Sequence, residues 1–270
     1  MQKGKFITLR GADSSIINME IFDALPSTSE LAREYAKRGY PDRYVVFAEK
    51  RIKPSSAHSS TNEYETGVYM SCILRPSLFP SQASLLGALS ATALATALEE
   101  HTTNHIGMGW ISDVYCNGVR IGKTSIEAKL DDLGTYEYLI VTFKAKLDQK
   151  SFPPRMTDMI RKVFESENTS ISMIIARNIL SKFFKLYSYM KSSSGFMEVY
   201  NNKFILRGKN AKYISDTGKK RCKILGIDTY TGALIIELRH GEVKHVFSQT
   251  SIVMPKRIWL KKSKFSTTNS

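Results

Sequence analysis

The sequence predicts an α+β fold in two parts: strands and helices mixed through the first 190 residues, then a small all-β segment. Two stretches, 83–99 and 155–190, carry apolar residues at helical spacing. Between and before them lie short β-branched and aromatic runs bounded by Gly, Pro, Asn and Ser. At Lys191-Ser192-Ser193-Ser194-Gly195 the composition shifts, and short strands with tight turns follow. With 270 residues, 42% of them apolar, the chain is long enough for one large domain over 1–190, a small one over 196–260 and a disordered polar tail over 261–270.

Taken in order, residues 17–22 read as a strand. Ser27-Thr28-Ser29-Glu30 then forms a capping pattern for a helix running to about Arg38. Residues 44–48 are an apolar strand, and 50–66 form a polar, Ser-rich stretch without a period, expected to be a mobile loop. Residues 68–74 resume as a strand, closed by Pro76. Leu86, Leu89, Ala93 and Ala97 share one face of the next helix. Strands 111–115 and 119–121 are joined at Cys116-Asn117-Gly118, a hairpin signal, with 126–128 continuing the second. Residues 138–145 are the clearest central strand. Met159, Ile160, Val163 and Phe164 mark one helical segment; Ile175, Ile179, Phe183 and Leu186 mark the next. Strands are then expected at 198–200, 203–206, 221–227, 233–237 and 244–247, a spacing that fits a small barrel.

Several classes are disfavoured. Cys72, Cys116 and Cys222 are odd in number and form no CxxC pair, so neither a disulfide framework nor a cysteine zinc site is expected. His58, His101 and His105 form no zinc signature, and no HExxH, Walker loop or GxSxG occurs. The uncharged stretch 77–98 contains Pro80, Gln82 and several hydroxyl residues, and its apolar residues repeat at helical spacing, so it reads as a buried helix, not a membrane span. The opening residues have too short an apolar run for a secretory signal, and a reduced, cytoplasmic setting is the expectation. The net charge of +14 is uneven: residues 196–270 hold 15 Lys or Arg against 5 Asp or Glu. Such a field could attract an acidic protein, a nucleotide or a nucleic acid, or be a solvated face with a basic tail. Beyond Lys219-Lys220-Arg221 and the run 256–264 there is no basic stripe with interleaved aromatics, so nucleic acid is the weakest of these partners.

Four collinear stretches carry a family resemblance. Pro26-Ser27-Thr28-Ser29 is similar to an S-T-N lead into a first helix. Val68-Tyr69-Met70-Ser71-Cys72-Ile73-Leu74-Arg75-Pro76 is similar to L-Y-x-S-x-x-x-R-P. Trp110-Ile111-Ser112-Asp113-Val114-Tyr115, with Asn117-Gly118 and Glu127, resembles K-W-P-N-D-x-Y…N-G…G-x-x-x-E. Residues 223–236 resemble a G-I-D…G-x-L-x-x strand pair. Together they resemble the biotin protein ligases of the biotin/lipoate protein ligase family. The resemblance implies a mixed β-sheet flanked by helices, related to the class II synthetase fold, plus a small C-terminal SH3-like β-barrel. It is to members without a leading helix-turn-helix, because too few residues precede Ile21, so operator binding by such a domain is not expected.

The resemblance implies condensation of biotin with ATP, assisted by Mg2+, and transfer of the biotinyl group to a lysine of a carboxyl-carrier domain, with a homodimer possible and no membrane partner. Such chemistry needs cationic or backbone donors around a carboxylate and an α-phosphate, and a loop that closes over the adenylate. Here the motifs depart. The region of the family's G-R-G-R-x-G loop, 49–60, contains no glycine; Ser55 and Ala57 fall on its two arginines, while Lys50, Arg51 and Lys53 keep charge nearby. Gly109 falls on the K-W-P-N-D lysine, Ile111 and Ser112 on its proline and asparagine, and Lys123 on the glycine of K-x-x-G-I-L.

Arg51, Lys53 and Lys123 are therefore the candidate substitutes for the missing catalytic cations, and Lys123 could equally block the pocket. Ser27 and Thr28 could bind a ureido carbonyl or cap the helix. Ser71 and Glu127 lie on strands beside the expected site. Trp110 could cover a ligand or fill the core, and Asp113 could meet magnesium or an adenylate or cap a turn. The expectation is a ligase homologue with adenylation impaired or absent. The alternative is a non-catalytic ligand- or protein-binding module, and a weaker one is nucleic-acid binding by the basic C-terminal region.

Overall fold

The computed structural model describes residues 4–11, 14–53, 63–76, 80, 83–147, 170–189 and 195–254. Eight strands form the first sheet: β1 (Lys5–Arg10), β2 (Ile16–Leu25), β3 (Tyr44–Lys53), β4 (Glu63–Leu74), β5 (Ile106–Met108), β6 (Asp113–Cys116), β7 (Val119–Leu130) and β8 (Tyr136–Lys146). Their order is β1-β2-β3-β4-β8-β7-β6-β5. The β2–β3 pair is parallel and every other pair is antiparallel, so the sheet is mixed as expected.

Helix α1 (Thr28–Lys37) joins the two parallel strands and covers part of one face, over Phe22, Tyr44, Val46, Tyr69, Ile73 and Ile140. Ser27 caps it, its Oγ accepting from the Glu30 N–H at 3.2 Å. At the other end Arg75, from the R-P stretch, donates to the carbonyls of Ala36 (2.8 Å), Tyr40 (3.0 Å) and Glu137 (3.0 Å). One guanidinium thus satisfies a helix end that would otherwise leave carbonyls unpaired and ties it to β8.

The opposite face packs against α2 (Ala83–Glu99), α3 (Ile171–Tyr189) and α4 (Gly195–Lys203). In α2 the hydroxyls of Ser90, Thr92 and Thr96 bond back to the carbonyls of Leu86, Ala88 and Thr92, so a helix with many hydroxyls stays buried without orphaned donors. Among the described residues no helix is long and apolar enough to cross a membrane.

A second sheet of five antiparallel strands follows: β9 (Asn210–Ser215), β10 (Gly218–Ile227), β11 (Leu234–Leu238), β12 (Val243–Val246) and β13 (Ile252–Val253), in the order β12-β11-β10-β9-β13. In the described pairings the end strands of this sheet, β12 and β13, are not joined. The core runs without a break from the first sheet into Ile224, Ile236 and Val246 of the second.

Four expectations need correction. Residues 198–200 and 203–206 are not strands: Phe196, Met197 and Tyr200 bury one side of α4, a helical spacing, and 204–208 form a bridge and turn. Strand β1 was not expected; its pattern is a weak alternation on a sheet edge, with Phe6 exposed. The stretch 50–66 is partly strand, since β3 runs to Lys53 and β4 starts at Glu63, its middle lying outside the described residues. Ile111 and Ser112 precede β6 instead of opening it, and the Trp110–Ile111 peptide is cis. The helical segment expected around Met159 to Phe164 and the tail 261–270 lie outside the described residues.

Candidate functional site

Strand register sets out the face that α1 only partly covers, because directly opposed residues on paired strands point the same way. One row reads Lys123, Lys144, Tyr69 across β7, β8 and β4. The next reads Ser125, Thr142, Ser71, and the third Glu127, Ile140, Ile73. A cationic row therefore lies beside a hydroxyl row.

The hydroxyl row is closed on itself. Thr28 Oγ1 lies 2.9 Å from Ser71 Oγ, which lies 2.9 Å from Thr142 Oγ1, and all three side chains are buried. Beyond it Arg33 of α1 clamps Glu127 of β7, with Nε donating at 3.0 Å and a second nitrogen bonding the same oxygen. That pair joins the helix to the sheet across Ile140. Ser27 serves as the α1 cap, its Oγ also 3.1 Å from Ser29 Oγ.

The cationic row borders a cleft of about 160 Å³ lined by Arg51, Glu65, Tyr69, Arg120, Lys123, Lys144 and Lys146, with backbone of 121, 122 and 145. The structure thus brings Arg51 and Lys123 together and adds Arg120 and Lys144, which sequence reasoning missed. Lys53 turns instead to Glu63 across the β3–β4 pair, at 3.5 Å. Lys123 is exposed, whereas Lys144 is half-buried. Burial pushes the Lys144 ammonium below the ordinary lysine range; Arg51 and Lys123 add to this, against the opposing pull of Glu127 and Glu30. The carboxylate of Glu65 is engaged by Lys146 at 2.6 Å and by the Tyr69 hydroxyl at 2.9 Å. Those bonds overcome its burial and hold it below the usual carboxylate range. None of Ser27, Thr28, Ser71, Trp110 or Asp113 borders this cleft.

Gly109 sits at the sharp return into β6, its N–H donating to the Asp113 carbonyl at 2.9 Å. A Cβ there would meet Tyr115 Cε2 at 3.0 Å, a tight contact that the ring would have to relieve by a small shift. Trp110 is buried, donating its indole N–H to the Gly232 carbonyl at 3.0 Å, while Gln249 donates to the Trp110 carbonyl at 3.2 Å. Asp113 Oδ1 is buried without a hydrogen bond and has Arg120 Nη1 at 3.5 Å. Among the described residues no three His, Cys, Asp or Glu side chains converge as metal ligands. All three cysteines are buried free thiols.

No protein-family model matches the sequence. Among curated proteins the chain is similar to the bifunctional ligase/repressor BirA of Bacillus subtilis, 26% identical over 235 residues that cover 84% of this chain and 71% of the relative. The Bacillus spizizenii protein of the same name gives the same figures. Among solved structures it is similar in fold to the apo biotin protein ligase of Aquifex aeolicus, with TM-score 0.64, 19% identity, and coverage of 88% of this chain and 99% of the other. The chain has the fold of the biotin protein ligases.

The Aquifex aeolicus protein in complex with biotin and ATP matches with TM-score 0.61 and 19% identity, over 87% of this chain and 97% of that one. So does a biotin protein ligase-like protein of unknown function from Silicibacter sp., with TM-score 0.61 and 13% identity over 85% and 94%. The motif stretches of this chain meet in space: Trp110 of the third is bonded to Gly232 of the fourth, and Thr28 of the first to Ser71 of the second. Positive charge is supplied from the strand floor at Arg51, Arg120, Lys123 and Lys144.

Proposed function

We propose that this chain is a biotin ligase-like protein in which adenylation of biotin is lost and the fold is kept for binding. The observation that carries the reading is the glycine at position 109. The position that resembles the family's K-W-P-N-D lysine has no side chain and so supplies no cation. Each missing electrostatic donor at an adenylating site costs on the order of 2–4 kcal/mol of transition-state stabilisation, by analogy with an oxyanion-hole donor.

Two further features support it. The cleft of about 160 Å³ beside Lys123 and Lys144 is smaller than the ~300–1,000 Å³ of pockets that enclose small organic ligands. The hydroxyl of Thr28, which the resemblance assigns to a ureido group, is bonded to the buried Ser71 hydroxyl. A carboxyl-carrier domain is the partner class this reading retains, and biotin and ATP are the ligands to test. The experiment is calorimetric titration with biotin, alone and with magnesium-ATP, followed by a carrier-biotinylation assay. Binding that does not strengthen with ATP, together with no transfer, is the expected result.

A further inference from the structure

The cleft on the sheet face holds more positive charge than its surroundings neutralise. Arg51 enters from β3, Arg120 and Lys123 from β7, and Lys144 and Lys146 from β8. Of the carboxylates in reach, Glu65 is taken by Lys146 and Tyr69, and Asp113 stands beside Arg120. Glu127 is clamped by Arg33. Among the described residues Arg51, Lys123 and Lys144 form no ion pair.

Lys123 and Lys144 also stand directly opposite each other on neighbouring strands. Like charges in that relation destabilise a sheet, and half-burial of Lys144 adds to the cost. An arrangement of this kind becomes favourable when an anion supplies the missing charge.

We propose that the cleft binds a small, multiply charged phosphate anion of the size of inorganic pyrophosphate. The proposal rests on the reading that the fold is kept for binding and not for adenylation. A single carboxylate cannot neutralise three unpaired cations, whereas a diphosphate presents several acceptor oxygens to Arg51, Lys123 and Lys144 together. The volume of about 160 Å³ suits a compact anion better than an apolar ring system. Glu65, held by its own two partners, forms one wall without facing the anion as a free charge.

The test is calorimetric titration of the full chain, in low salt without magnesium, with pyrophosphate, orthophosphate, ATP and biotin. Pyrophosphate is expected to bind saturably with one site, at least about tenfold tighter than orthophosphate. Lys144→Gln and Lys123→Gln should each weaken it about fivefold or more, with melting curves confirming that both variants fold. The double variant Lys219→Gln/Lys220→Gln, on β10 outside the cleft, should leave the affinity within about twofold. The proposal is overturned by no pyrophosphate heat, by an unchanged Lys144→Gln, or by an equal loss in the β10 variant. ATP binding within tenfold of pyrophosphate supports recognition of the phosphates; ATP more than tenfold tighter overturns it in favour of a nucleoside site. Biotin reports separately on the underlying reading: tight binding strengthened by magnesium-ATP sinks the loss of adenylation, whatever pyrophosphate does.

Discussion

The ring of Tyr115 packs tightly against Gly109, with Cε2 3.0 Å and the hydroxyl 3.7 Å from the position of a Cβ. A side chain at 109 would therefore need the tyrosine to give by a few tenths of an ångström. Gly109→Lys alone should lower stability in urea unfolding by about 1–3 kcal/mol, the usual cost of overpacking. Adding Tyr115→Ala should recover part of that loss, so the two effects are not additive. Strict additivity would show that the ring does not compete for the space.

Lys144 and Lys123 oppose one another in register. Lys144→Met should therefore keep or raise stability at neutral pH, by a few tenths to about 1 kcal/mol. The pH dependence has a definite sign. Lys144 titrates below the ordinary lysine range in the folded chain because it is half-buried and faces Arg51 and Lys123. Between its folded pKa and the unfolded value of about 10.4, the unfolded chain binds more protons, so stability gains a rising contribution with pH. Below that window the unfavourable charge is present in full. Denaturation curves from neutral pH to about 10 should show this slope in the natural chain and not in Lys144→Met.

Ser71 links two other hydroxyls, Thr28 and Thr142, at 2.9 Å each. Ser71→Ala removes the middle partner and leaves two buried hydroxyls unsatisfied. A loss of about 1–3 kcal/mol in denaturant unfolding is expected. In that background Thr142→Val should cost less than it does in the natural chain, because its bond is already gone.

Trp110 connects the two sheets through the Gly232 carbonyl, presented by a turn that Asp228 holds with bonds from the N–H groups of Tyr230 (2.9 Å) and Thr231 (2.8 Å). Trp110→Phe keeps an aromatic ring but loses that donor and leaves a buried carbonyl unpaired. Stability should fall by about 1–3 kcal/mol, with amide exchange quickening first at the β10–β11 turn. Equal protection of that turn in the variant would argue against this role.

Much of the fold was legible because periodicity and capping act locally. Ser27 reads as a cap and is one; Asn117-Gly118 reads as a hairpin turn, and both residues have positive φ, at 48° and 82°. The stretch 198–206 misled because Val199 and Tyr200 favour strands on propensity, while burial of Phe196, Met197 and Tyr200 selects a helix. The site was legible only in part. The lost cation at Gly109 is visible in the sequence, yet the packing of the Tyr115 ring against that glycine comes from a chain reversal. Lys144 belongs to no motif; only the register of β7, β8 and β4 sets it beside Lys123 and Tyr69. Whether Lys123 points into the pocket or outward depends on strand register, which sequence alone leaves open.

The most direct test of the central claim is titration of the full chain with biotin, without and then with magnesium-ATP. Loss of adenylation predicts no strengthening of biotin binding by ATP and no biotin transferred to a carrier domain. Micromolar or tighter biotin binding that strengthens with ATP, followed by carrier biotinylation, would contradict the account and return the chain to the active ligases.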